Sequence, residues 1–155
     1  MDRMKRGAIL PAAAVLAALA LSAGAARADD EAELAALPAA VQKTAHAQMG
    51  TSKIEEVEET YEGGQHATEV EYREDGKKMA VVIAKDGTLI QKEYRMSPSD
   101  APEAIRKAVG AVYPGGSISH IKEVTEGGVK YYEVSVKTGG GSHRLKLDAG
   151  GKPLK

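Results

Sequence analysis

The sequence predicts an α+β fold of two tandem units. Each unit is a helix followed by three or four antiparallel strands (α-β-β-β(-β)), with the helices packed on one face of the sheet. Three observations lead there. The chain aligns with itself without a gap at an offset of 64 residues. Each copy opens with apolar residues spaced three and four apart, the period of an amphipathic helix. Each then changes to strict two-residue alternation broken by glycine turns, the period of half-buried strands.

At the offset of 64, Pro38 falls on Pro102, Ala40 on Ala104, Lys43 on Lys107, Ile54 on Ile118, Glu62-Gly63-Gly64 on Glu126-Gly127-Gly128, Glu69-Val70 on Glu133-Val134 and Gly87 on Gly151. Over positions 38–90, 13 of 53 residues are identical, and most other apolar positions meet apolar ones, so the repeat covers a whole structural unit. In the second copy, Asp100-Ala101-Pro102-Glu103 has the layout of a capping box with proline in the first turn. Ile105, Val109 and Val112 then form one stripe, which Tyr113-Pro114-Gly115-Gly116 ends. In the first copy Leu37, Val41, Ala45 and Met49 keep the stripe and Gly50 stops it. Ala36 stands where the acid cap should be, and the preceding DDEAELAAL is expected to add a turn instead.

Strands follow in the same order in both copies. Ile54 to about Thr60 and Ile118 to about Val124 come first. Thr68-Val70-Tyr72 and Tyr132-Val134-Val136 mark the inward side of the second strand, Met79-Val81-Ile83 and His143-Leu145-Leu147 that of the third, and Thr88–Tyr94 closes copy one. REDGKK and KTGGGS supply turns between them. Units of about 60 residues are marginal alone, so the two copies are expected to share a continuous sheet or pack closely, with Arg95–Pro102 as the crossing.

The first 28 residues read as a secretory leader. Arg3, Lys5 and Arg6 precede an apolar run from Gly7 to Leu21, and Ala26-Arg27-Ala28 offers a small-residue cleavage site. That run of about 15 residues is short of the roughly 20 a membrane span requires. Cleavage near Ala28 leaves an exported chain, periplasmic or secreted, with no later membrane segment, divided into 29–96 and 97–155. The leader holds four of the chain's 21 basic and one of its 22 acidic residues, so the mature part keeps 17 and 21, a net charge of about −4. An acidic surface argues against nucleic-acid and anionic-membrane partners. No cysteine is present, which excludes disulfides, a thiolate nucleophile and thiolate metal sites. Phe and Trp are also absent, so the core is built from Val, Ile, Leu, Ala, Met and some of the six tyrosines.

The layout resembles the PepSY-like family of exported bacterial proteins, also described as beta-lactamase-inhibitor-like. In copy two the resemblance rests on AIRKAVGAVYPGGSISHIKEV, YYEVSV and HRLKLDAGGKPL, and in copy one on AVQKTAHAQMGTSKIEEVEETYEGG, TEVEY and MAVVIAKDGTLI. It covers about residues 37–154 and is made of core and turn positions, not chemical groups. It implies tandem helix-plus-sheet units outside the cytoplasm. It also implies a restraining role, since PepSY units occur in protease propeptides and the namesake inhibitor binds a hydrolase through its sheet surface. No inhibitory residue can be matched to a motif, and the chain lacks the Trp and Phe that commonly anchor tight interfaces.

Other chemistry is weakly supported. His46, His66, His120 and His143 form no His-x-His or His-x-x-x-His pair, so a metal site would need separate strands. In IEEVEETYEGG, Glu56 and Glu58 are expected to point one way and Glu55 and Glu59 the other, so the carboxylates do not converge and a solvated edge is the better account. Ser119-His120 and Ser142-His143 are neighbours on strands and therefore face opposite sides, and no nucleophile elbow or phosphate loop occurs. The chain is read as non-enzymatic and without a cofactor.

The remaining surface is the sheet face opposite the helices. In copy two Tyr131, Glu133 and Ser135, with Arg144 and Lys146 on the next strand, alternate away from the core. Tyr131, Glu133, Arg144 and Lys146 are the candidate protein-binding residues, because tyrosine and arginine favour interfaces. Tyr131 replaces Ala67 between the copies, so copy two is the expected contact half. The expected role is an exported protein-binding or inhibitory module acting on a protease or other envelope hydrolase. The alternatives are a small-ligand or metal-binding envelope protein, or a structural or stress-response protein of the envelope.

Overall fold

The computed structural model describes residues 26–154. The expected leader lies outside the described residues except for positions 26–28, which stand in the first turn of α1. The elements are α1 (Ala26–Ala36), α2 (Ala39–Met49), β1 (Ile54–Glu62), β2 (Gln65–Glu74), β3 (Lys77–Ala84), β4 (Leu89–Met96), α3 (Glu103–Val112), β5 (Ser117–Glu126), β6 (Val129–Thr138) and β7 (Gly141–Asp148). A 3-10 turn, Pro98–Asp100, precedes α3. No described helix is long and apolar enough to cross a membrane.

All seven strands form one open antiparallel sheet in sequence order, β1 to β7. Even β4 and β5, with α3 between them, pair directly from Gln91↔Glu126 to Met96↔Ile121. The continuous sheet expected from the small size of each unit is therefore present. The β1–β2 and β5–β6 hairpins turn on Gly63-Gly64 and Gly127-Gly128. All four glycines have positive φ, which two-residue hairpin turns require. This is why Glu-Gly-Gly is written twice.

Two apolar clusters hold the elements together. Leu34 of α1 and Val41, Ala45 and Met49 of α2 pack with Ile54, Val70, Tyr72, Val81 and Ile83. Ile105 and Val109 of α3 pack with Ile121, Tyr132, Val134, Val136 and Leu147. Directly paired strand residues share a face, and the cluster members pair with one another: Val70↔Val81 and Tyr72↔Met79, Ile121↔Val134, Tyr132↔Leu147.

Positions 64 apart occupy matching geometry. Ile54↔Tyr72 is matched by Ile118↔Val136, and each pair is followed by a register shift before residue 56 or 120. Gly87 N donates to Ala84 O and Gly151 N to Asp148 O, both at 2.9 Å. A β-carbon on Gly87 would stand 2.7 Å from Ala40 O, and one on Gly151 2.6 Å from Ala104 O. The β3–β4 turn and the turn after β7 thus press against the helix of their own half at the same point. Thr44 Oγ1 secures the first contact by donating to Gly87 O at 2.6 Å.

Two local expectations need correction. Asp100 does not cap α3: its N-cap is Pro102, with extended ψ of 147° and no side-chain cap bond. The chain becomes helical only at Glu103, leaving Asp100 in the preceding 3-10 turn, out of reach of the free amides. The acidic DDEAELAAL stretch does not extend α2 either. It belongs to a separate helix, because Pro38 disfavours helical geometry in the residue before it.

Gly87→Ala and Gly151→Ala should each destabilise the protein by about 2 kcal/mol or more in urea unfolding. Both combine a positive φ with a backbone clash. Gly63→Ala, with positive φ but open space around it, should cost only about 1 kcal/mol.

Candidate interaction face of the sheet

The residues between the cluster positions define the other face. In pairing order they include Ala67↔Ala84, Glu69↔Val82 and Glu71↔Ala80, Ala80↔Glu93 and Val82↔Gln91, Glu93↔Val124 and Arg95↔Lys122, Lys122↔Glu133 and Val124↔Tyr131, then Glu133↔Lys146 and Ser135↔Arg144. Tyr131, Glu133, Arg144 and Lys146 therefore lie together on one face of β6 and β7.

Their surroundings differ from the expected solvated surface. Tyr131 is only 4 % exposed. Its hydroxyl donates to Glu126 Oε2 at 3.0 Å, and the Lys146 ammonium sits over its ring, 3.8 Å from the centroid. Burial, then the Glu126 hydrogen bond, push its phenol well above the usual tyrosine range. The charges of Glu133 and Glu62 add smaller pushes in the same direction. The reading of Tyr131 as an outward contact residue is corrected: it lies on the face opposite the apolar clusters, but Lys146 and its own hydrogen bond enclose it.

Glu133 stands opposite Lys146 in register, yet its ion-pair partner is Lys122, at 3.2 Å. Arg144 is exposed and forms no ion pair among the described residues. Of the four candidates, Arg144 is the cation left for a partner.

The largest departure from the sequence reading lies on β4. Glu93 is 1 % exposed. Its Oε1 accepts from Lys122 Nζ at 2.6 Å and from Gln91 Nε2 at 2.8 Å. Arg95 extends from β4 to Glu69 and Glu71 of β2, and Lys78 holds the other oxygen of Glu71 at 2.6 Å. Burial alone would lower the Lys122 pKa, but the bond to Glu93 and that carboxylate's charge outweigh it and raise it. Glu69 moves the other way for a carboxylate: burial, then Glu93, raise its pKa, and Arg95 only partly opposes them. The signal for this network was the alternation Gln91, Glu93, Arg95. A strand paired on both sides buries such residues, and β4 was read as the last strand of a unit.

The acidic run also needs correction. Glu56 and Glu58 do share a side, but register sets them opposite Glu71 and Glu69, so four carboxylates meet on this face. Hydrogen bonding to Glu58 is the main cause that raises the Glu56 pKa. The register shift turns Glu55 aside to Arg73, at 2.6 Å. Among the described residues, no three His, Cys, Asp or Glu side chains form a group that could hold a metal. His143 stacks on Tyr113 with centroids 4.5 Å apart, and His66 meets Tyr61 edge-on. Ser119 donates to Ser135 O at 3.2 Å and is not directed at His120.

Over β4–β7 this face opens into a groove of about 660 Å³. Residues 95–150, which include all of α3, β5, β6 and β7, match the PepSY family, described as peptidase propeptide and YPEB domain. The fold is shared with solved structures from Bacteroides. A BLIP-like protein from Bacteroides fragilis superposes with a TM-score of 0.60 at 15 % identity, covering 77 % of this chain and 84 % of its own. A DUF2874 family protein from Bacteroides uniformis gives 0.63 at 15 % identity, with 76 % and 86 % covered. A protein from Bacteroides eggerthii described as periplasmic gives 0.63 at 14 % identity, with 77 % and 86 % covered. At these identities the likeness concerns the fold. A search of curated proteins finds no match.

Tyr131→Ala should cost about 3–5 kcal/mol, as for other large buried aromatic truncations, whereas Tyr131→Phe should cost only about 1 kcal/mol for the lost hydrogen bond. Urea denaturation separates the two. Because the folded-state pKa of Glu69 is raised, its contribution to stability falls as pH climbs above about 4.5. Glu69→Gln lacks that dependence. The stability of the variant relative to the parent should therefore be more favourable at pH 7 than at pH 4, as measured by unfolding at both.

Proposed function

We propose that the protein is an exported, non-catalytic binding module of two tandem PepSY-like repeats, divided near residue 96. In this reading the helices cover one sheet face. The other holds a protein partner, with a protease or another envelope hydrolase as the class to test first. The observation that carries it is the coincidence of two features on the same stretch of chain. Residues 95–150 match a peptidase propeptide family, and that stretch, with β4, lines an open groove on the helix-free face.

Several features support the reading. Matched geometry at positions 64 apart, down to the register shifts and the Gly87 and Gly151 contacts, supports two copies of one unit. A leader ending near Ala28 would free the chain three residues into α1, leaving Leu34 and its cluster intact. The Bacteroides eggerthii structure is described as periplasmic and that from Bacteroides fragilis as BLIP-like, which agrees with an envelope protein that binds another protein. A preformed, ion-paired face suits such a role, since little ordering entropy remains to be lost on binding.

The mature chain carrying a photo-crosslinker at Ser135, in the groove, should capture a discrete envelope protein from its native periplasm. Capture should drop at least tenfold with Arg144→Ala, whose melting temperature should stay within about 2 °C of the parent because the side chain is exposed and unpaired. A purified partner that is a hydrolase should lose activity when the mature chain is added. A folded, labelled protein that captures nothing would refute the reading.

A further inference from the structure

We infer that the groove over β4–β7 receives an acidic segment of a partner protein, with a carboxylate placed on Arg144 and a neighbouring aliphatic side chain on the groove's apolar rim. This rests on the reading of the helix-free face as a protein-binding surface and adds the chemistry of what binds there.

Arg95, Lys122, Arg144 and Lys146 line the groove, against Glu133 as its single carboxylate. This reverses the sign of the mature chain as a whole. Three of the cations are held from within. Arg95 is bound by Glu69 and Glu71, Lys122 by Glu93 and Glu133, and Lys146 lies on the Tyr131 ring, 4.0 Å from Glu126. Of their carboxylate partners, Glu93 and Glu71 are nearly inaccessible, whereas Glu133 and Glu126 stay about as open as the cations, whose side chains keep about a third of their surface exposed. Over Glu93 and Glu71 a ligand therefore meets donors first. The layout fixes those donors in place and leaves Arg144 as the unpaired one, with a planar fork that matches a carboxylate.

The same arrangement argues against a polyanion. Most of the positive charge is already balanced by carboxylates beneath and beside it, so the groove lacks the excess of cations that a nucleic acid or charged polysaccharide rewards. One or two carboxylates fit that balance. Pro98 and Leu154 supply apolar lining, with Met96 at the end of β4, where it also packs against the second apolar cluster. Leu154 is 37 % exposed, held in place where its backbone N–H donates a hydrogen bond to Lys146 O at 2.8 Å. An apolar contact beside a single carboxylate site is what a peptide of interleaved acidic and aliphatic residues can satisfy and a free small anion cannot. The groove volume also lies within the roughly 300–1,000 Å³ typical of sites that enclose a ligand.

The test uses the mature protein and two fluorescent acetylated peptides, Ser-Glu-Leu-Glu-Val-Ser and its counterpart with lysine for glutamate, read by anisotropy. The acidic peptide should bind at least tenfold more tightly at 50 mM than at 500 mM salt, and the lysine peptide should not bind. Arg144→Glu should weaken the acidic peptide at least tenfold. Lys107→Glu makes the same charge change on the exposed surface of α3 and should leave binding unchanged. Leu154→Ser should weaken it several-fold. Equal binding of both peptides, an Arg144→Glu variant that binds normally, or displacement of the peptide by heparin at equal charge concentration would each overturn the inference. Capture of a partner at Ser135 that is insensitive to Arg144→Glu would overturn it while leaving the protein-binding role standing.

Discussion

The architecture depends on one buried carboxylate at the joint between its halves. Glu93 lies on β4, the last strand of the first half, and Lys122 reaches it from β5, the first strand of the second. Placing that charge at 1 % exposure is costly unless it is paired and hydrogen bonded. Lys122 and Gln91 supply both on one oxygen. Such a pair is weak evidence for stability, because its desolvation offsets much of the attraction. Its stronger effect is on register: a slip by one residue between β4 and β5 would send Glu93 to the apolar side and leave Lys122 without its partner. The backbone pairing from Gln91 to Met96 joins the halves, and the Glu93–Lys122 pair selects the one alignment that keeps both helix-side clusters in a continuous sheet.

The sheet face that carries Glu93 is organised outward from that pair. Arg95 neighbours Lys122 in register and extends the network to Glu69 and Glu71 on β2. Lys122 extends it the other way to Glu133 on β6. The chain of charges thus crosses the sheet from β2 to β6, ordering long side chains whose entropy would otherwise oppose a binding event. Like carboxylates opposite one another on β1 and β2 would destabilise that corner by themselves. Arg95 and Lys78 offset the charge there.

The two halves of the sheet carry different side chains on this face. Where the first half has Ala67, Ala80 and Val82, the second has Tyr131, Arg144 and Lys146. Most positions in the two apolar clusters are apolar in both halves, as Val70 and Val134, Val81 and Leu145, and Ile83 and Leu147 are. The groove lies against Arg144 and Lys146, the long cationic residues of the second half.

The periodicities, the glycine pairs and the offset of 64 determined the helix-plus-sheet units, their strand order and the inward residues, because alternation and helical spacing are local properties of the chain. They also placed Tyr131, Glu133, Arg144 and Lys146 on one face, since a strand period of two leaves no other arrangement. The tertiary structure alone decided which of these four is available. Whether Tyr131 is open depends on where Lys146, a strand away, lays its ammonium. Whether Glu133 pairs with Lys146 or Lys122 depends on both of its neighbouring strands. The burial of Glu93 and the meeting of Glu56 and Glu58 with Glu69 and Glu71 depend on strand pairings that span up to about 30 residues. A one-dimensional pattern specifies the side to which a residue points, whereas its charge partners and exposure come from the strands placed beside it.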